Sequence, residues 1–233
     1  MKRYKVFVVG GGIYYAVFLR DYELVNNPKD ADIVIFTGGE DVDPSLYNEL
    51  RHPSTYSNID RDKKELEAFK ICAALDTKLV IGICRGAQFL CVANGGKLIQ
   101  NVENHCIVST HPLIPTGNTI DNKVYQITST HHQMQYPYDM SPKDYEVLYV
   151  ELGRSPIYEP CTKQEIEKLI LRGEPEIVLY HKKGFPKCLA IQGHPEMMRS
   201  TSPTIEMINN LIDDIMLKEG EKNQEKRDSG KKE

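Results

Sequence analysis

The chain has 233 residues, is 40% hydrophobic and 27% charged, and carries a formal net charge of −4, a composition suited to a water-soluble globular domain with a substantial core. Its pI of about 6.0 offers no electrostatic footprint for nucleic acid, and no apolar run approaches the ~20 residues needed to cross a bilayer. The first apolar run is too short for a signal-peptide core, so the sequence predicts a cytoplasmic protein. Its six irregularly spaced cysteines, without a Cys-x-x-Cys pair, read as reduced thiols and not as disulfides or zinc ligands.

Lys5 to Val9 reads as a first strand closed by Gly10-Gly11-Gly12, a glycine set without the spacing of a dinucleotide fingerprint. A short helix is expected over Ile13 to Arg20 and a second strand over Asp32 to Phe36, which ends at Thr37-Gly38-Gly39. Glu40 to Asn58, broken by Pro44 and Pro53, reads as a long loop. The spacing of Leu66, Phe69 and Leu75 predicts an amphipathic helix over Arg61 to Leu75, with Arg61, Lys63, Lys64 and Glu67 off the apolar face. Leu79 to Ile83 is a fully apolar strand and Gly86 to Ala93 the helix after it. This alternation predicts an α/β fold: a doubly wound, mostly parallel sheet flanked by helices.

Further on, Val124 to Ser129 and Glu146 to Val150 read as strands of a small antiparallel extension. Thr162 and Glu165 form a capping-box pattern before a helix to Leu171, and Glu176 to Tyr180 with Cys188 to Ile191 reads as a hairpin. Thr204 to Leu217 is a last amphipathic helix. One domain is expected over residues 1–218, with 219–233 a charged tail too polar to order itself.

Chemistry concentrates at two places. Leu79-Val-Ile-Gly-Ile-Cys84-Arg85-Gly86-Ala87-Gln88 has the form of a nucleophile elbow, in which a strand runs into a tight turn that presents Cys84 over a helix N-terminus. The helix dipole there favours the thiolate, the reactive species. Near the other end, His194 and Glu196 flank Pro195 after an apolar strand. Glu196 is placed to hold one tautomer of His194, and His194 to take the thiol proton and later protonate a leaving amine. Cys72 and Cys91 lie within helices and read as structural. His131-His132 is a poor metal pair because adjacent side chains diverge, so no metal and no cofactor is expected. Asp41 and Asp43 suit either a turn or a substrate amine.

Gly82-Ile-Cys84-Arg-Gly-Ala-Gln88, with Gly193-His-Pro-Glu196, resembles the class I glutamine amidotransferases. Thr37-Gly-Gly-Glu-Asp-Val-Asp-Pro44 with Tyr47, Arg61-Asp62 with Glu65, Gly95-Gly-Lys-Leu-Ile-Gln100 and Ser129-Thr-His-His-Gln133 extend the likeness to their γ-glutamyl hydrolase, peptidase C26-like branch, typified by γ-glutamyl-γ-aminobutyrate hydrolase. The resemblance runs in order from about Val6 to Glu196. It implies a flavodoxin-like sheet with the elbow at the strand ends and a Cys84–His194–Glu196 triad. It also implies an oxyanion hole from the N–H groups of Gly39 and Arg85, and a glutamyl pocket drawing on Gln88, Ser129 and His131.

The implied reaction is hydrolysis of a γ-glutamyl amide in a small molecule through a glutamyl thioester. The alternatives are a glutaminase subunit that passes ammonia to a separate synthetase, and a catalytically silent binding module. A homodimer is left open. Two departures leave the leaving amine unidentified: Gly193 stands where the branch carries an aromatic residue, and 151–176 reads as an insertion.

Overall fold

A nine-stranded sheet forms the centre of the computed structural model, which describes residues 3–229 apart from 76, 118 and 120. Its strands are β1 (Tyr4–Val8), β2 (Tyr22–Leu24), β3 (Ile33–Phe36), β4 (Leu79–Ile83), β5 (Cys106–Pro115), β6 (Tyr125–Thr130), β7 (Tyr145–Glu151), β8 (Glu174–Tyr180) and β9 (Cys188–Ile191). In space they lie in the order β2-β1-β3-β4-β9-β8-β7-β5-β6. Pairing is parallel from β2 through β9 and antiparallel from β9 through β6. The expected antiparallel extension therefore continues the same sheet.

Alternation along the central strands sends side chains to two cores. Ile33, Ile35, Leu79, Ile81, Ile83, Leu189 and Ile191 pack on one face with Ile205, Ile208, Ile212 and Ile215 of the last helix, α4 (Pro203–Ser229). Val34, Phe36, Val80, Val178 and Ala190 pack on the other with α1 (Ile59–Ala74) and α2 (Arg85–Ala93). Both faces are covered, which is why these strands read as unbroken apolar runs. The helix α3 (Lys163–Arg172) carries the expected capping box at Thr162 and Glu165.

Four stretches differ from the sequence reading. The helix expected over Ile13 to Arg20 is a single 3-10 turn, Ile13–Ala16, because Ile13, Tyr14 and Val17 stay exposed and the buried Ala16, Phe18 and Leu19 do not extend one helical face along the segment. β2 and β5 carry no clear sequence signal: β2 is a three-residue edge strand, and β5 mixes His111 and Pro112 with apolar residues. α4 continues through Ser229, into the segment expected to lack order. Its packed isoleucines nucleate the helix, and the Glu/Lys-rich sequence after them propagates it cheaply. Residues 230–233 lie outside the described residues. No described helix is long and apolar enough to cross a membrane.

Candidate active site

The elbow is built by two close backbone contacts. A Cβ at Gly82 would strike the Gly86 carbonyl, and one at Gly86 would strike the Phe36 carbonyl, so two glycines let α2 start hard against β4 and β3. Between them Cys84 takes φ 52, ψ −107, a region that non-glycine residues enter only under constraint. The conformation costs of order 1–3 kcal/mol, which the packed strand and helix on either side must impose. Burial pushes the Cys72 thiol up to about 11, and those of Cys91 and Cys188 up to about 12, which keeps these three protonated and inert.

Sheet register brings the second motif to the first. β9 runs parallel beside β4 with Ile191 opposite Ile83, and the Cys84 N–H donates to the Ile191 carbonyl at 2.9 Å. Three residues further, His194 comes beside Cys84, and its Nδ1 donates to Glu196 Oε1 at 2.7 Å. Burial opposes a charge on His194, but its interactions with Cys84 and Glu196 outweigh it and raise its pKa to about 10. β6 holds the turn from the other side: the His194 N–H donates to the Thr128 carbonyl, and the Thr128 hydroxyl donates to the His194 carbonyl. Gly193 is required by the same contact, since a Cβ there would lie 2.7 Å from both Ile127 Cγ1 and the Thr128 carbonyl. An aromatic side chain has no space at this position.

Cys84, Gly39, Arg85, Gln88 and His131 line one cavity of about 170 Å³, together with the carboxylates Glu40 and Asp41 and with His132. Arg85 is the first residue of α2, so its N–H has no intrahelical acceptor and stays available at the cavity. Gln88 is buried and donates to the Gln133 carbonyl at 2.8 Å. Ser129 is not among the lining residues: it is fully buried, and its hydroxyl donates to the His105 carbonyl at 2.5 Å. Its place in β6 turns it toward the interior, where the sequence motif alone suggests a pocket residue. Asp43 caps the 3-10 turn Pro44–Tyr47 through Ser45 and is a turn residue. Asp41 pairs with His132 at 3.1 Å, and that hydrogen bond raises the His132 pKa.

The loop bearing Gly39 rests on charges that the sequence pattern assigns to a solvated helix face. The Arg61 guanidinium donates to the Gly38 carbonyl (2.9 Å), to Glu65 (2.9 Å) and to Glu40 (2.5 Å). The Arg85 side chain is fully buried, bonded to Asp62 and Glu65, and its Nε donates to the Glu40 carbonyl at 3.1 Å. A Cβ at Gly39 would collide with Arg61. Tyr15 reaches Gly38 from the 3-10 turn near the N-terminus, and its pKa is raised, chiefly by burial. Arg61 and Glu65 are visible as a motif, whereas nothing in the local sequence marks Tyr15.

The Peptidase C26 family profile matches residues 10–141, more than half of the chain and including the elbow and the Thr37–Pro44 loop. The chain belongs to the Peptidase C26 family. Protein NtpR of Enterococcus hirae is 32% identical over 135 residues, 47% of this chain and 56% of that protein. The glutamine amidotransferase-like protein YvdE homolog of Lactococcus lactis subsp. cremoris is 36% identical over 121 residues, 44% of this chain and 63% of that protein. The chain thus spans less than two thirds of the length of these curated relatives. A Thermoplasma acidophilum protein named after one component of GMP synthase shares the fold, with a TM-score of 0.57 and 17% identity over 96% of this chain and 99% of that one. These neighbours bear out an α/β sheet of the class I glutamine amidotransferase type.

Proposed function

We propose that this chain is a cysteine-dependent hydrolase of γ-glutamyl amides in small molecules, of the γ-glutamyl hydrolase branch. The observation that carries the reading is Cys84, held at φ 52 on the elbow beside a histidine that Glu196 orients at 2.7 Å. In this reading the Cys84 sulfur attacks the γ-carbonyl carbon, and the N–H groups of Gly39 and Arg85 hold the oxyanion. His194, as a cation, gives its proton to the departing amine, leaving a glutamyl thioester on Cys84. His194 then takes a proton from water as the hydroxyl adds to the thioester, and glutamate leaves as the thiol is restored. Glu196 keeps the ring oriented and stabilises its charge. An amino-acid-sized cavity with Glu40 and Asp41 on one side suits the α-amino end of a glutamyl group.

The test is glutamate release from glutamine and from a panel of γ-glutamyl amines, beside a Cys84→Ala control. Rapid release from one γ-glutamyl amine, abolished in the control, supports the hydrolase and names its substrate. Equal release by Cys84→Ala overturns the mechanism, and an unreactive Cys84 with no turnover returns the silent binding module. A second reading is a glutaminase subunit serving a separate synthetase. It is favoured by the fold neighbour named after a component of GMP synthase. It predicts slow release from glutamine alone, rising when the synthetase is added.

A further inference from the structure

Behind the cavity wall formed by His131, the antiparallel half of the sheet encloses polar groups that the fold leaves unsatisfied. His105 precedes β5, His111 lies within it, His131 follows β6 and Glu176 belongs to β8. All four side chains are 0% exposed. His105 Nδ1, His111 Nε2, His131 Nε2 and both Glu176 carboxylate oxygens have no hydrogen-bond partner. Each such buried orphan costs about 1–3 kcal/mol, so five in one place call for something that satisfies them together.

Their spacing is not that of donor and acceptor. Glu176 Oε1 stands 3.6 Å from His105 Nδ1 and 3.7 Å from His131 Nε2, and Glu176 Oε2 stands 3.6 Å from His111 Nε2. One ligand atom from each residue lies within 4.8 Å of every other. Donors held at tetrahedral metal distances sit about 3.3–3.6 Å apart, which these pairs approach.

The outward nitrogens are already committed. His105 Nε2 meets Glu174 Oε2 at 3.2 Å, His111 Nδ1 meets the Pro112 carbonyl at 3.2 Å, and His131 Nδ1 meets the Gln133 carbonyl at 2.9 Å. Carboxylate or carbonyl partners of this kind fix the tautomer of metal-binding histidines and leave the other nitrogen free to ligate. Glu174 is itself held by the Ser155 N–H (2.9 Å) and the Tyr158 hydroxyl (2.6 Å). Three carboxylates, Glu151, Glu174 and Glu176, are buried in this cluster. A dication inside it offsets their charge as well as their missing hydrogen bonds.

We propose that His105, His111, His131 and Glu176 form a closed, four-ligand site for a divalent transition-metal ion, zinc being the best match to three imidazoles and one carboxylate. With four protein ligands the site is structural. It ties β5, the turn after β6 and β8 together, and braces the cavity wall through His131. The proposal stands independently of the hydrolase reading.

The test is Co²⁺ binding to the full chain after dialysis against a chelator, followed by visible absorption and metal analysis. The expected result is about one ion per chain, with the visible bands of a four-coordinate nitrogen/oxygen site, no thiolate band, and displacement by Zn²⁺. Cys84→Ala should bind as the parent does. His111→Gln and Glu176→Gln should lose the ion, and Glu174→Gln should weaken it about 10- to 100-fold. Where a ligand variant fails to fold, the spectrum of the parent chain decides. Absence of bound metal, a thiolate band that disappears in Cys84→Ala, or full binding by folded His111→Gln and Glu176→Gln would each overturn the proposal.

Discussion

Thr128 grips His194 from both sides: its carbonyl accepts the His194 N–H at 3.0 Å, and its hydroxyl donates to the His194 carbonyl at 2.6 Å. A strand of the antiparallel segment thus positions a residue that acts at the end of a parallel one. Thr128→Val keeps the shape and the first bond but removes the second, at a cost of about 1 kcal/mol. Under the proposed mechanism kcat should fall several-fold while KM moves little. Unchanged kcat would mean that Pro195 and Glu196 hold the ring without help from β6.

The raised His194 pKa has a signed consequence. A group whose pKa rises on folding contributes stability in full below its unfolded value, near 6.5, and loses it as pH climbs through the folded value of about 10. Activity that needs the imidazolium should therefore persist through neutral pH and fall as pH approaches 10. Glu196→Gln removes one of the two partners that raise the pKa, so its alkaline limb should move toward neutrality. A pH–rate profile of both proteins reads the shift, and coincident limbs would remove Glu196 from the triad.

Strain at Cys84 can be measured by comparing two substitutions. Alanine retains the Cβ that φ 52 penalises, and glycine does not. Cys84→Gly should be more stable than Cys84→Ala by about 1 kcal/mol, the reverse of the usual order, with both inactive. Denaturant unfolding of the pair checks this, and a less stable glycine variant would show that the elbow is unstrained.

Gly193→Ala places a methyl 2.7 Å from Ile127 and the Thr128 carbonyl. The protein should lose about 1–3 kcal/mol, with activity falling further because His194 is the next residue. Thermal unfolding and turnover, measured together, separate the two effects.

Arg61→Gln tests the support of the Gly39 loop, since it removes the guanidinium that spans Gly38, Glu40 and Glu65. Misplacing one oxyanion donor should cost roughly tenfold in kcat with a smaller change in KM. A pure KM effect would place Arg61 in substrate binding instead.

Much of this is legible along the chain because the information is contiguous. The elbow, the capping box at Thr162 and the apolar strands flanking them lie within single short segments, where glycine placement and side-chain period speak directly of backbone shape. The same holds for the α/β class and for the Cys84 and His194-x-Glu196 motifs. Other features are hidden because they depend on neighbours distant in the chain. Register between β4 and β9 sets Ile83 beside Ile191 and so brings His194 to Cys84. Burial turns Ser129 inward and makes Arg61 and Arg85 a prop for the Gly39 loop. The four groups at His105, His111, His131 and Glu176 meet only when β5, β6 and β8 are aligned in one sheet. Local pattern establishes which residues are chemically able. Sheet pairing, which joins segments far apart in the chain and which no single segment encodes, establishes which of them meet.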